Sequence, residues 1–149
     1  MTAVVLDLTV EGADGHGLDV AALRALALGL LAAEGVEGAC ALGIAFVGES
    51  EMRALNEEYR QLDEVTDVLA FPLDGVDDLP SGLERQLGDV VVCFAQAERQ
   101  AAEAGVGTTA EVRTLVVHGL LHLLGHDHEI DDGEMLARQD ELSAVLPAL

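Results

Sequence analysis

Residues 118–128 carry the sequence HGLLHLLGHDH, which holds four of the five histidines in the chain. The periodicity upstream predicts a helix from Thr108 to Leu124, so His118 and His122, four residues apart, lie on one face of it. Both imidazoles can then reach a single ion. His126 stands eight residues from His118, about 12 Å along a helix axis, and cannot bind the same ion from a straight helix.

Gly125 follows this predicted helix directly. A glycine just past a helix end can adopt positive φ and turn the chain back, so we expect His128 to return to the ion as the third ligand. Three neutral histidines leave a fourth position for water, the open arrangement of a catalytic zinc site. The segment therefore predicts one zinc ion, or another divalent metal, bound by His118, His122 and His128.

The spacing H-x-x-x-H-x-x-G-x-x-H is also the ligand frame of metzincin proteases. Those enzymes carry a glutamate general base directly after the first histidine, where this chain has Gly119. Ordinary zinc peptidase chemistry would therefore have no proton acceptor at this position. A peptidase-like metallohydrolase with a base elsewhere stays open as an alternative. The other two histidines, His16 and His126, are predicted to lie on the surface.

The formal net charge is -21, from 28 acidic and 7 basic residues, and every basic residue is an arginine. Such a charge repels polyanions at long range, so no DNA binding is expected. An RNA contact would depend on a local arginine site. With one tyrosine, three phenylalanines that we expect to be buried and no tryptophan, the usual base-stacking platform is also not expected.

The two cysteines, Cys40 and Cys93, lie far apart in apolar surroundings and are predicted to be small buried hydrophobes in a reducing compartment. The amino terminus, MTAVVLDLTV, lacks the early positive charge of a secretory signal. The most apolar helical stretch, Ala25 to Ala33, is shorter than the roughly 20 residues that a bilayer requires. We therefore expect a soluble cytoplasmic protein without a membrane span.

Alternating strands and helices predict an α/β (α+β) fold, with a small mixed sheet of about four strands covered by helices and a zincin-like metal helix, in one domain spanning 1–149. Strand order stays open. Ser50 is the predicted N-cap of the second helix, and Thr108 with Glu111 forms a predicted capping box.

The predicted strands are Val4 to Val10, Leu42 to Val47, Thr66 to Leu73 and Asp89 to Phe94. The predicted helices are Leu18 to Glu34, Ser50 to about Tyr59, Gln96 to Ala104, Thr108 to Leu124 and about Asp132 to Val145.

Three blocks of sequence, taken together, point to a known family. HGLLHLLGHDH, the upstream NEEYRQLDEVTDVLAFPL at 56–73 and the intervening LGDVVVC at 87–93 closely resemble the YbeY family, bacterial endoribonucleases of ribosomal RNA maturation. The blocks occur in the family's order and cover about half of the chain. Two positions depart from the pattern, with Val65 in place of the usual proline and Ala70 in place of the usual serine.

The resemblance implies a zinc-dependent hydrolase of single-stranded RNA that acts on the 3′ end of 16S rRNA and in ribosome quality control. It implies the small ribosomal subunit as partner. Because the acidity and the scarce aromatic residues leave RNA affinity to other sources, we also expect either the ribosomal context or a ribosome-associated protein to position the RNA. Arg60 matches the family's arginine after the tyrosine, so it should line the groove facing the metal and hold a phosphate. Asp67 and Asp89 match family positions at strand starts. For both we expect a structural role, in turn and edge hydrogen bonding, rather than a catalytic one. Asp127 fits equally a ligand-orienting role and a local cap.

The predicted catalytic set is therefore Arg60, His118, His122 and His128, and the sequence does not identify the general base. A second alternative to the nuclease is a non-catalytic ribosome assembly factor in which the metal only stabilises the fold.

Overall fold

A four-stranded mixed sheet organises the computed structural model, which describes residues 3–73, 83–127 and 130–149. Its strands are β1 (Val4–Glu11), β2 (Gly38–Val47), β3 (Val68–Pro72) and β4 (Arg85–Cys93). They lie in the order β1-β2-β4-β3. β1, β2 and β4 run parallel, and β3 pairs antiparallel with β4 at the edge. The expected small mixed sheet is confirmed.

Helices connect the strands and cover the sheet. They are α1 (Val20–Ala33), α2 (Glu49–Arg60), α3 (Phe94–Ala104), α4 (Thr108–Leu123) and α5 (Glu134–Val145). None of the helices in the described ranges is both long enough and apolar enough to cross a bilayer. The predicted elements all occur, but two strands begin four residues earlier than expected, β2 at Gly38 and β4 at Arg85.

Two predicted helix caps are wrong. α2 begins at Glu49 after Gly48, and α4 has Gly107 rather than Thr108 at its N-cap; neither N-cap makes a side-chain hydrogen bond. Ser50 and Thr108 therefore lie inside their helices, where their hydroxyls are past the position that caps the first turn. The carboxylate of Glu111 instead accepts a hydrogen bond from Nε2 of Gln100 at 3.3 Å.

β4 is the centre of the core because it is buried on both faces. Val90 and Val92 belong to the main hydrophobic cluster, which α1 and α4 cover. Val91 and Cys93 face the opposite side and pack in a smaller cluster with Met52 of α2. α4 lies across β3 and β4. The helix that carries the histidines is thus fixed against the most buried part of the sheet.

Candidate metal centre

His118 and His122 meet at the last turns of α4. Their Nε2 atoms are 3.2 Å apart and their ring centroids 4.8 Å apart, with the rings edge to face. Two nitrogens bound to one tetrahedral zinc ion at about 2.0–2.1 Å would lie about 3.3 Å apart. The helical spacing therefore brings the two imidazoles together in a geometry that fits two ligands of one ion.

Gly119, between these histidines, allows α4 to approach the sheet. A β-carbon at this position would lie 2.6 Å from Cγ1 of Val90 and 3.4 Å from Cγ2 of Val68. Gly119 is itself buried. The position that holds the general base in metzincins thus faces the sheet in this chain, and a side chain there would require Val90 or α4 to shift.

Gly125 ends α4 in the predicted way. Its φ is +98°, its N–H donates to the carbonyl of His122 at 3.0 Å, and the N–H of His126 donates to the carbonyl of Leu121 at 3.0 Å. This pair of bonds is a Schellman motif, which reverses the chain direction at the helix end. The expected positive φ is confirmed.

The predicted third ligand, His128, lies outside the described residues. Within the ranges that are described, no three His, Cys, Asp or Glu side chains form a group able to hold a metal ion. The chemistry of the two imidazoles nonetheless suits zinc, because neutral imidazole nitrogen is one of its preferred ligands.

His126 is not the surface histidine that the sequence predicted. It is half-buried, and its Nε2 lies 2.8 Å from Oε1 of Glu34 at the end of α1. The other carboxylate oxygen of Glu34 accepts from Nε of Arg138 at 2.8 Å, and the Glu34 side chain is only 13% exposed. The turn after α4 is therefore tied to both α1 and α5. His16 is exposed as expected, and its ring stacks on Phe94.

A cleft of about 590 Å³ opens between the end of α4 and the edge strand β3. Arg60, at the end of α2, lines this cleft together with the two histidines, and its side chain is exposed. Within the described parts of the chain, no carboxylate forms an ion pair with Arg60. The residues that line the cleft include Arg60, Asp67, Ala70, His118, His122 and Asp127.

The three aspartates that the sequence singled out have different surroundings. Asp67 accepts the N–H of Val68 at 2.7 Å through Oδ1 and Nε2 of Gln100 at 3.2 Å through Oδ2, which agrees with the structural role expected at a strand start. The backbone carbonyl of Asp127 accepts the N–H of Asp131 at 3.2 Å, while Asp127 also lines the cleft. Asp89 is exposed and lines a separate groove on the sheet.

Tyr59 presents an exposed ring directly before Arg60. Its side chain is 56% exposed and packs edge to face on Phe71, with the ring centroids 4.8 Å apart. Phe71 is half-buried rather than buried as expected. One aromatic face is therefore available next to the cleft arginine.

Gln139 of α5 is a site residue that sequence reasoning missed. Its Oε1 lies 2.7 Å from Nδ1 of His118. Gln139 is 21 residues away along the chain and belongs to no motif, so only the packing of α5 on α4 reveals the contact.

Comparison with known proteins agrees with this architecture. The family model for Endoribonuclease YbeY matches residues 16–146, well beyond the three blocks that carried the resemblance. The Endoribonuclease YbeY of Macrococcus caseolyticus is 44% identical over 113 residues, covering 73% of each chain. That of Nocardioides sp. is 41% identical over 147 residues, covering 94% of this chain and 97% of the relative.

A solved structure supports the fold independently. The solution structure of TM1509 from Thermotoga maritima superposes with a TM-score of 0.61 at 30% identity, covering 92% of this chain and 87% of that one. The family model and the relatives together confirm the resemblance drawn from 56–128. The chain therefore belongs to the YbeY family of endoribonucleases.

Proposed function

We propose that this chain is a zinc-dependent endoribonuclease for single-stranded RNA, which matures the 3′ end of 16S rRNA and acts in ribosome quality control in the cytoplasm. One observation carries the proposal: the Nε2 atoms of His118 and His122 converge to 3.2 Å in a cleft that Arg60 also lines. The family relationship supplies RNA as the substrate.

The metal would be held by His118, His122 and His128. When bound, zinc supplies Lewis acidity, which polarises a phosphoryl oxygen and lowers the pKa of water to about 7. The two helical histidines are preorganised for this task because α4 is fixed against β3 and β4. Both imidazoles must be neutral to bind a metal, so binding releases any proton that they carry.

Arg60 would bind the scissile phosphate. Its planar guanidinium can donate two parallel N–H bonds to phosphate oxygens and stabilise the charge that develops when the phosphorus is attacked. Its exposure, and the lack of a competing carboxylate among the residues described, leave the guanidinium available. A single strand can direct one phosphate into this cleft, whereas a duplex holds its phosphates on a rigid outer surface.

The ribosome would provide most of the RNA positioning. With a net charge of -21, this chain cannot attract RNA by its overall field. We therefore propose that the small ribosomal subunit, with a ribosome-associated protein, presents the RNA 3′ end to the cleft.

The experiment combines metal analysis with cleavage of a single-stranded RNA that carries the 16S rRNA 3′ region. We expect one zinc per wild-type chain, and loss of both zinc and cleavage in His118→Ala. Arg60→Ala should keep zinc but cleave about 10²–10³-fold more slowly, as when one transition-state donor is removed. Arg53→Ala is the matched control, because Arg53 is an exposed arginine of the same helix that pairs with Asp63 instead.

Three results would contradict the proposal. Undiminished RNA cleavage by zinc-free protein would exclude the metal, and cleavage of peptides but not RNA would indicate another substrate class. A chain that unfolds on chelation and cleaves no RNA when zinc is bound would indicate a structural metal in an assembly factor. The product ends identify the nucleophile, because a 2′,3′-cyclic phosphate forms only when the RNA 2′-hydroxyl attacks.

A further inference from the structure

Gln139 on α5 forms a hydrogen bond with the ring of His118. Its Oε1 lies 2.7 Å from Nδ1 of His118, and both side chains are half-buried. An amide carbonyl oxygen accepts hydrogen bonds and donates none, so the proton in this bond belongs to Nδ1. A neutral His118 with the proton on Nδ1 has its lone pair on Nε2. The bond therefore selects one of the two tautomers.

The selected tautomer presents the nitrogen that faces the candidate metal centre. Nε2 of His118 is the atom that lies 3.2 Å from Nε2 of His122. Histidines that bind metals generally donate their other ring N–H to an acceptor, which fixes both the tautomer and the orientation of the ring. Gln139 occupies this acceptor position for His118.

The position of α5 makes this contact a consequence of packing. Met135 and Leu142 of α5 are both buried. Gln139 follows Met135 by four residues and precedes Leu142 by three, so all three residues lie on one face of the helix. Arg113 of α4 donates from Nη2 to the backbone carbonyl of Ser143 at 2.9 Å. The helix is thus held to its neighbours on both sides of Gln139, with little freedom to withdraw the amide.

We propose that Gln139 is a positioning residue for metal binding: it holds His118 in the tautomer protonated at Nδ1 and so presents Nε2 to the ion. The inference rests on the zinc site of the proposed function. Gln139 would act only through His118 and would contact neither RNA nor the metal.

The experiment measures the affinity for zinc alone, by competition with a chelator, in the full chain. Gln139→Leu removes the acceptor at similar volume, Gln139→Ala removes it without adding apolar surface, and Gln139→Glu keeps an acceptor. Asp140→Leu is the control, since Asp140 is the exposed neighbour on the same helix. We expect about 10–100-fold weaker zinc binding for the Leu and Ala variants, and wild-type affinity or better for the Glu and Asp140 variants.

A second readout follows the tautomer directly. Long-range proton–nitrogen NMR spectra of the metal-free protein should show His118 protonated at Nδ1 in wild type and a mixture of tautomers in Gln139→Ala. If Gln139 has only a structural role, Gln139→Ala should lower the melting temperature while His118 stays protonated at Nδ1 as in wild type. In that case Gln139→Glu would not keep the zinc affinity of wild type.

The outcomes separate this inference from the proposed function. Suppose that wild type binds zinc, His118→Ala does not, and Gln139→Leu and Gln139→Ala bind it as tightly as wild type. This result would overturn the role of Gln139 and leave the metal site intact. Wild-type protein that binds no zinc would overturn the metal site and this inference together. An unchanged His118 tautomer in Gln139→Ala would also exclude the role.

Discussion

Gly119 of α4 and Val90 of β4 approach so closely that a β-carbon on Gly119 would lie 2.6 Å from Cγ1 of Val90. This approach sets the depth at which the histidine helix lies on the sheet. It also explains why the chain cannot carry a general base directly after His118, because that position faces β4 rather than the cleft.

We expect Gly119→Ala to lower the free energy of unfolding by about 1–3 kcal/mol, because the added methyl group must displace Val90 or lift α4. Urea denaturation measures this change, and zinc titration of the folded fraction measures the displacement of the two histidines. In a Val90→Ala background, Gly119→Ala should lower the free energy of unfolding by less than it does in wild type, because the methyl groups that it would meet are absent. A Gly119→Ala protein as stable as wild type would show that α4 can move without cost.

Gly125 offers a second test, because its φ of +98° is unfavourable for any residue with a β-carbon. Gly125→Ala should cost about 1–2 kcal/mol in stability and should also weaken zinc binding, since it distorts the turn that leads to His128. Gly105→Ala is the matched control: Gly105 ends α3 with φ +71°, and at both glycines an added β-carbon would meet no non-adjacent atom within 4 Å among the residues that the structure describes. Equal losses of zinc affinity in both variants would argue against a special role for the Gly125 turn.

Glu34 should stabilise the turn after α4 because its carboxylate accepts from both His126 and Arg138. We expect Glu34→Ala to lower stability by about 1–3 kcal/mol, as it leaves two half-buried donors without their acceptor. Thermal unfolding of this variant beside Glu37→Ala, an exposed glutamate in the same connection, measures the difference. Equal melting temperatures for the two variants would mean that water replaces the carboxylate at no cost.

RNA binding should depend only weakly on salt. Arg60 is the one arginine that lines the cleft among the residues described, and each phosphate neutralised on a single strand contributes a slope of about −0.7 to log K against log salt. Fluorescence anisotropy with labelled single-stranded RNA should give a slope near that single-contact value, approaching zero in Arg60→Ala. A slope several times steeper would reveal an extended basic surface elsewhere.

Burial raises the pKa of the Cys40 thiol, and the nearby charge of Arg85 opposes this effect without cancelling it. The folded protein therefore holds the thiol proton at a pH where the unfolded chain, with a thiol pKa of about 8.5, releases it. The neutral, buried thiol therefore stabilises the fold fully below the unfolded pKa of about 8.5. This stabilisation is lost as the pH rises from there through the higher pKa of the folded protein. Alkylation of Cys40 at mildly alkaline pH, followed by mass spectrometry, should be slow in native protein and fast in urea.

The sequence predicted the elements whose signals are local. The alternation of apolar and polar residues in β1 is recognisable because it depends on residues that are near neighbours in the chain. The start of β2 was missed since residues 38–41, GACA, carry little strand preference of their own; they become a strand by pairing with β1, from Val4 opposite Gly38 onward. The caps at Ser50 and Thr108 failed for a related reason, because a preceding glycine took the N-cap position in each case.

The sequence by itself determined the meeting of His118 with His122 and the reversal of the chain at Gly125, because helix geometry and the conformational freedom of glycine are local properties. Tertiary structure alone decided the partners of these residues. Gln139 on His118, Glu34 on His126 and Val90 against Gly119 each join segments far apart in the chain. Such contacts form only when packing brings the helices together and orients their side chains, and no spacing within one segment encodes that outcome.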